Sequence, residues 1–243
     1  ANDNTACGDS AAESNTTGHS NAAFGKSALK VNTTGTNNTA IGMNALDANT
    51  TGLYNTAVGY AAITDKTTGN ANTGVGYEAG EKMTTGGDNT MLGYKAGFTT
   101  TTGINNTCVG KEAVAASATT SDSFTLGNSS VSSLRCNQTS ISSLSDARDK
   151  TDIQDLMIGL EFINTIRPVK FKWQRREPDK TDGKIRAGFI AQELQKAQGN
   201  NNFLDLIMDE NPDKLEAKQG NLIPVLVKAI QELSAKVTAL EAA

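Results

Sequence analysis

The chain has 243 residues, of which 37% are hydrophobic and 5% aromatic, and its formal net charge is −4. These fractions are low for a single compact core. Charged residues are also unevenly spread, with 17 in residues 1–144 and 31 in residues 145–243. The sequence therefore predicts two regions of different character, and it excludes one uniform globular domain.

Several partner classes are disfavoured by the same composition. No basic patch with interleaved aromatic residues occurs, so we expect no nucleic-acid partner. No run of about 18 apolar residues occurs, so we expect no membrane insertion. His19 is the only histidine, which excludes a Ser-His-Asp triad in the second half and a His-rich metal site. We expect neither a metal nor a cofactor.

Glycine recurs at a strict interval of 17 residues through the first half. The series is Gly8, Gly25, Gly42, Gly59, Gly76, Gly93, Gly110 and Gly127. Series of Asn, Ala and a second Gly keep the same interval, and the unit reads approximately N-T-A-φ-G-Y-x-A-φ-x-x-x-T-T-G-x-N, where φ is apolar. Such a period is typical of stacked repeats. N-T-A-φ-G predicts a short strand ending at a glycine bend, and T-T-G predicts a second turn.

Stacking such coils places identical residues about 4.8 Å apart. Equivalent asparagines should then form a hydrogen-bonded ladder, and the first φ position should form an apolar column. The residues of this φ column are Cys7, Phe24, Ile41, Val58, Val75, Leu92, Val109 and Leu126. One φ column and one Ala column are thin filling for a single-chain solenoid. We therefore predict a β-rich rod of residues 1–128 formed by three chains, as a trimeric β-roll or a triple β-helix.

The repeat resembles the head repeats of trimeric bacterial adhesins and the shafts of phage tail fibres, which use similar N-T-A-φ-G units. The Asn and T-T-G series are interpreted as scaffold and not as a carbohydrate site. Cys7 and Cys108 occupy apolar positions of the repeat, which favours core filling over a reactive role. Residues 129–144 are rich in Ser and predict an extended connector.

Residues 145–243 predict an α+β domain. Ile153, Leu156, Leu160 and Ile163 at helical spacing predict a helix over residues 153–166 that ends at Arg167–Pro168. Alternation predicts a strand over residues 169–173, and residues 185–198 should begin extended and become a helix.

The C-terminal segment, residues 222–243, carries apolar residues at alternating steps of three and four, which is a heptad seam. The seam residues are Ile223, Leu226, Ile230, Leu233, Val237 and Leu240. Asn221 is the predicted N-cap, and Pro224 is compatible with the first turn. The β-branched/Leu pattern favours dimers in simple coiled coils, but a three-chain rod should impose a trimer. The alternative for the early turns is a helix packed on its own domain.

Ser145 is followed five residues later by Lys150. A serine hydroxyl becomes a good nucleophile when a base accepts its proton, and a lysine amine can do so when burial or nearby cations, such as Arg148, lower its pKa. Spacing alone is a weak signal, because Ser-x4-Lys occurs in many loops.

Three ordered motifs make the signal specific. They are Ser145-Asp146-x-Arg148-x-Lys150 followed by Ile153, then Gly188-Phe189-Ile190-Ala191-Gln192-Glu193, then Leu222-Ile223-Pro224-x-Leu226-Val227-x-Ala229-Ile230. Together they resemble the S74 peptidase family, the C-terminal intramolecular chaperone domains of phage endosialidases, tail spikes and tail fibres. The resemblance covers essentially the whole second half.

The resemblance implies a domain that trimerises, nucleates the upstream rod in register and then cuts itself off. It implies that Ser145 and Lys150 form the catalytic dyad, with Gly188, Gln192 and Glu193 in a supporting motif. The chain departs from the family at two positions.

These departures are Asp149, where the family commonly has Leu, and Arg186, where some members have His. The family is described as cleaving after the Ser, here at Ser145–Asp146. Attack by a Ser oxygen on its own carbonyl needs a strained four-membered ring, whereas attack on the Leu144 carbonyl needs a five-membered ring. Either the cut precedes Ser145, or another group or chain attacks the following bond; we favour Ser145–Asp146.

The favoured function is a homotrimeric viral fibre shaft with a self-releasing chaperone. It would fold in the host cytoplasm, reside on the virion and bind a host surface receptor or glycan through the mature rod. The alternative is a trimeric cell-surface adhesin with a non-cleaving C-terminal cap. A hydrolase acting in trans is disfavoured, because no substrate cleft is indicated.

Overall fold

The computed structural model describes residues 3–131, 133–135, 145–173 and 183–243. The chain divides into two compact units, Ala1–Leu134 and Arg135–Ala243. Most of the predicted connector, including Cys136 and Leu144, lies outside the described residues.

The first unit is a β-solenoid in which eight three-residue strands form one parallel sheet in chain order. The strands are β1 (Thr5–Cys7), β2 (Ala22–Phe24), β3 (Thr39–Ile41), β4 (Thr56–Val58), β5 (Thr73–Val75), β6 (Thr90–Leu92), β7 (Thr107–Val109) and β8 (Phe124–Leu126). Each residue of strands β1–β7 pairs with the residue 17 positions later, as Ile41 does with Val58. The predicted strand, glycine bend and 17-residue stacking are confirmed.

The pairing also decides between the two predicted architectures. Each strand bonds to the strand of the next coil of the same chain. A triple β-helix, in which strands of three chains pair with one another, is therefore wrong for residues 5–126. A single-chain solenoid leaves its outer surface open to a partner.

The predicted position of the φ column is wrong: it lies on the outside. Phe24, Ile41 and Leu92 are 40%, 41% and 46% exposed. Because side chains alternate along a strand, the residue before φ points inward, and Ala40 and Ala57 are fully buried there. Core filling accordingly holds for Cys108, which is buried, and fails for Cys7, which is exposed.

The interior is well filled by one chain, contrary to the expectation of thin filling. Large interior side chains lie against glycines of the same coil or of a neighbouring coil. A Cβ added at Gly74 would lie 2.6 Å from Cγ1 of Ile63, and one added at Gly97 would lie 2.0 Å from Sδ of Met91. Ile63 and Met91 are fully buried, so these glycines are the spaces into which the larger side chains pack.

The predicted asparagine ladder is confirmed. The backbone N–H of Asn55 donates to Oδ1 of Asn38 at 2.9 Å, and its Nδ2 donates to the same oxygen at 3.2 Å and to the carbonyl of Gly69 at 3.0 Å. The pattern repeats at Asn72 and Asn89. Buried amides are thus hydrogen-bonded both along the rod and across the turn.

A second buried ladder is interrupted in its fourth coil. Nδ2 of Asn49 donates to Oδ1 of Asn32 at 2.8 Å, but the next residue in this column is Lys66. Its Nζ donates instead to the carbonyl of Gly86 at 2.8 Å, and Oδ1 of Asn49 has no hydrogen-bond partner among the described residues. Burial lowers the pKa of Lys66 to about 8.

The second unit combines short helices with two-stranded sheets. The elements are α1 (Leu160–Ile163), β9 (Val169–Lys172), β10 (Ile185–Gly188), α2 (Ala191–Gln198), β11 (Ile207–Met208), β12 (Glu216–Ala217) and α3 (Ile223–Glu241). β9 pairs with β10 and β11 with β12, both antiparallel. The predicted strand and strand-to-helix segments are confirmed. The predicted helix over residues 153–166 is wrong before Leu160, where Gly159 stands as the N-cap residue, and after Ile163, where Asn164 is the C-cap residue.

Helix α3 has two apolar faces. Val225 and Ala229 are buried in or beside the core of this unit. The N-cap residue is Leu222, not the predicted Asn221, and Pro224 lies in the first turn as expected. Among the described residues no helix, α3 included, is both long and apolar enough to cross a bilayer.

Candidate functional site

The structure brings Ser145 and Lys150 into direct contact. A single 3-10 turn, Ala147–Asp149, separates them and folds the segment back on itself. Nζ of Lys150 donates to Oγ of Ser145 at 2.6 Å. An amine this close to a hydroxyl can exchange a proton with it directly once the amine is neutral.

Asp146 caps the turn between the two residues. Its carboxylate accepts from the backbone N–H of Arg148 at 2.9 Å and from Nε of Arg148 at 3.0 Å. The Arg148 guanidinium therefore lowers the pKa of Asp146. Arg148 was expected to act as a cation near Lys150, but the structure places its charge on Asp146, the residue after the candidate nucleophile.

The whole dyad segment, residues 145–150, is exposed in the single chain. A lysine acts as a general base when burial or neighbouring charge favours its neutral form. The geometry for proton transfer is thus present, whereas the burial that would activate it is not supplied by the chain's own described residues.

The second motif lies at the junction of β10 and α2. Gly188 pairs with Val169 at the end of β10, and a Cβ there would lie 3.2 Å from Cε1 of Phe171. The motif glycine therefore permits close packing of the sheet.

The last two motif residues lie in the first turn of α2. Gln192 is exposed. Glu193 forms an ion pair with Arg167, the residue that leads into β9. This pair links the helix to the sheet and raises the pKa of Arg167.

Helix α3 presents the predicted heptad seam to solvent. Ile230 and Leu240 are 66% and 78% exposed. The carboxylate of Glu232, which lies beside the seam, accepts from the backbone N–H of Leu160 at 2.8 Å and so holds α1 on α3. One side of α3 packs on its own unit, and the seam itself is left open.

The segment that begins at Ser145 matches a known family. Residues 145–203 match the Peptidase_S74 family model, described as chaperone of endosialidase. This segment is therefore similar to chaperone-of-endosialidase domains. The match runs from the dyad through α2 and confirms the resemblance for the first two motifs, whereas the third motif, residues 222–230, lies beyond the matched residues. The S74 family is phage-associated and known for self-cleaving peptidase activity. No curated protein and no solved structure matches the chain significantly.

Three features were missed by the sequence analysis. The outward orientation of the φ column was misjudged because two adjacent apolar positions compete for the interior. Lys66 could have been found, because Asn15, Asn32 and Asn49 precede it at the 17-residue interval. The contact of Glu232 with Leu160 spans 72 residues and carries no local signal.

Proposed function

We propose that residues 145–243 are the intramolecular chaperone of a homotrimeric viral fibre, and that they release themselves by cleavage at Ser145. The chaperone-of-endosialidase match supports the chaperone role. The 2.6 Å contact between Lys150 and Ser145 is the observation that supports cleavage.

In the proposed reaction neutral Lys150 accepts the proton of the Ser145 hydroxyl while Oγ attacks a peptide carbonyl. Lys150 then returns the proton to the departing amine, and water hydrolyses the resulting ester. Attack on the Leu144 carbonyl forms a five-membered ring within one chain. Attack on the Ser145–Asp146 bond requires the serine of another copy, and we favour this bond because it is the family's.

Assembly would complete the site. The dyad segment is exposed in one chain. We propose that association of three chains buries it and favours the neutral amine. Cleavage would then follow trimer formation and would not precede it.

The exposed seam of α3 supports association. Six apolar residues at heptad spacing face solvent, and such a column is stable in water when helices of other copies cover it. The chaperone would hold three chains together, which raises their local concentration while the rod nucleates.

The released product would be the rod, carried on the virion and available to a host receptor or glycan. The competing function is a trimeric cell-surface adhesin whose C-terminal domain remains attached. The two functions differ in one observable, the scission of the chain.

Denaturing electrophoresis with mass spectrometry of freshly expressed full chain tests this proposal. We expect fragments 1–145 and 146–243, or 1–144 and 145–243 if the preceding bond is cut. Ser145→Ala and Lys150→Arg should both abolish cleavage, because Arg keeps the charge but does not release a proton at neutral pH. Ser130→Ala, an exposed serine of the rod's end, is the matched control and should cleave normally. A wild-type chain that stays intact while trimeric would favour the adhesin.

A further inference from the structure

Two exposed columns run side by side along the solenoid. The first is the φ column. The second is formed by the residue that follows each repeat glycine, here named the post-glycine column. Its members are Asp9, Lys26, Met43, Tyr60, Tyr77, Tyr94, Lys111 and Asn128.

Three successive tyrosines of the post-glycine column form a stacked ladder. The ring centroids of Tyr60 and Tyr77 are 5.1 Å apart with planes 13° from parallel, and those of Tyr77 and Tyr94 are 5.3 Å apart at 11°. Each tyrosine is 40–45% exposed. The solenoid core does not require these rings, because it is filled by side chains from other columns.

Charged neighbours hold the ladder in place. Nζ of Lys95 lies 2.8 Å from Oε2 of Glu78 and 5.8 Å from the ring centroid of Tyr94. Lys111 lies 5.8 Å from the same ring. A hydrogen bond to Glu78 raises the pKa of Tyr77. Rings ordered in advance lose little rotamer freedom when a partner covers them.

The spacing of the φ column identifies the partner. It offers one apolar side chain per coil over eight strands, and only a surface with the same axial repeat can match it along its length. A second copy of this rod has that repeat. The two columns extend over all eight strands of the solenoid, as a continuous interface along the rod requires.

The φ column alone cannot set the alignment of two copies, because sliding by one coil restores nearly every contact. The post-glycine column is not periodic: it is charged near both ends and aromatic in the middle. In register, three tyrosine levels meet tyrosine levels. A slip of one coil moves Tyr94 onto Lys111 and Lys26 onto Met43.

We propose that the Tyr60–Tyr77–Tyr94 ladder is the register element of an interface between copies of this chain, made continuous by the φ column. This inference rests on the proposed homotrimer and adds, within the rod, a second source of alignment to the register that the C-terminal domain is expected to set. The rod itself would then help to set the axial register between copies.

The test uses the full chain with Ser145→Ala, in a background of Cys7→Ser, Cys108→Ala and Cys136→Ser. Two differently tagged chains are co-expressed, one with Val75→Cys and the other with Leu92→Cys, which lie one coil apart on the φ column. After oxidation, in-register copies give links between equal positions, and slipped copies give mixed 75–92 links.

With the ladder intact we expect links between equal positions and few mixed links. Replacing all three tyrosines by Ser should raise the mixed fraction about tenfold, because aromatic contacts no longer penalise the slip. Thr68→Ser, Thr85→Ser and Thr102→Ser, which alter three exposed residues in the same coils, form the matched control and should leave the fraction unchanged.

The outcomes separate this inference from the proposed function. An unchanged mixed fraction in a trimeric tyrosine variant overturns the register role and leaves the homotrimer standing. A monomeric mass by analytical ultracentrifugation for the parent chain overturns both. Trimers that give no links at either position place the interface on another face and also overturn the inference.

Discussion

The two units of this chain differ in how much of their hydrogen bonding and apolar packing is completed within one chain. In the solenoid, one chain supplies the coil-to-coil hydrogen bonds and the filled interior, apart from the break in the second ladder at Asn49 and Lys66. In the second unit the heptad seam and the dyad are both exposed. Under the proposed function, the first unit would persist once folded and the second would be completed by other copies. Substitutions in either unit test this contrast.

The largest effect is expected from a substitution that forces the coils apart. Gly59 has φ of +134°, and a Cβ there would lie 2.4 Å from the carbonyl oxygen of Gly76 in the next coil. Backbone cannot move aside without opening the stack. We expect Gly59→Ala to lower the free energy of unfolding by more than about 4 kcal/mol, measured by denaturant unfolding of the Ser145→Ala chain.

Gly87→Ala is the matched control in the same rod, because its nearest contact would be 3.3 Å and its φ is not positive. It should cost far less. Equal effects at both positions would show that the coils are not closely stacked.

A stabilising change is expected at the break in the second ladder. Asn in place of Lys66 can donate to Oδ1 of Asn49 and to the carbonyl of Gly69, as Asn49 donates to Asn32 and Gly52. Because the pKa of Lys66 falls from 10.5 to about 8, its buried charge costs about 3 kcal/mol at neutral pH. Lys66→Asn should therefore raise the melting temperature of the rod.

The pH dependence has a definite sign. Between pH 8 and 10.5 the unfolded lysine holds more protons than the folded one, so stability rises with pH. The penalty is full below pH 8 and is lost above 10.5, and the advantage of Lys66→Asn should shrink across this window. Lys66→Met, which removes the charge without restoring the ladder, separates the two contributions. A pH-independent advantage would contradict the buried-charge explanation.

The exposed seam of α3 provides the test from the other side. Ile230→Asp should abolish trimers in ultracentrifugation while the fold of each second unit survives, because this side chain is 66% exposed. Cleavage should fail with it if assembly completes the dyad. Ala235→Asp, on the opposite side of the heptad, is the control. Trimers that survive Ile230→Asp would remove the seam from the assembly.

The smallest effect is expected at the ion pair of Arg167 and Glu193. Both side chains are substantially exposed, and exposed pairs contribute about 0–1 kcal/mol. Glu193→Gln should change the free energy of unfolding of the second unit by less than about 1 kcal/mol, as measured by denaturant titration. A larger loss would show that this motif residue has a role beyond the pair.

The sequence was most predictive where the same residue pattern recurs in every coil. The 17-residue interval predicted the strands, the bends and the ladder of Asn38 and Asn55, because each coil restates the same constraint. The interval did not predict which of two adjacent apolar side chains points inward. Ala40 and Ile41 are both apolar, and the size of the interior, not hydrophobicity, selects Ala40. The helix predicted from residue 153 is wrong before Leu160, because hydrophobic periodicity does not reflect the destabilising effect of Gly159 within a helix. The contact of Lys150 with Ser145 followed the family pattern, whereas the exposure of both residues is a property of the folded chain that the motif spacing does not encode.

The constant offset of 17 residues between paired strands has a consequence for how such rods change in length. Duplication of one 51-nucleotide segment adds a whole coil, about 4.8 Å of rod, and leaves both ends of the solenoid untouched. An insertion whose length is not a multiple of 17 residues must be accommodated as a bulge. Reach toward a surface can therefore evolve in uniform steps, while the domain that follows the rod stays the same.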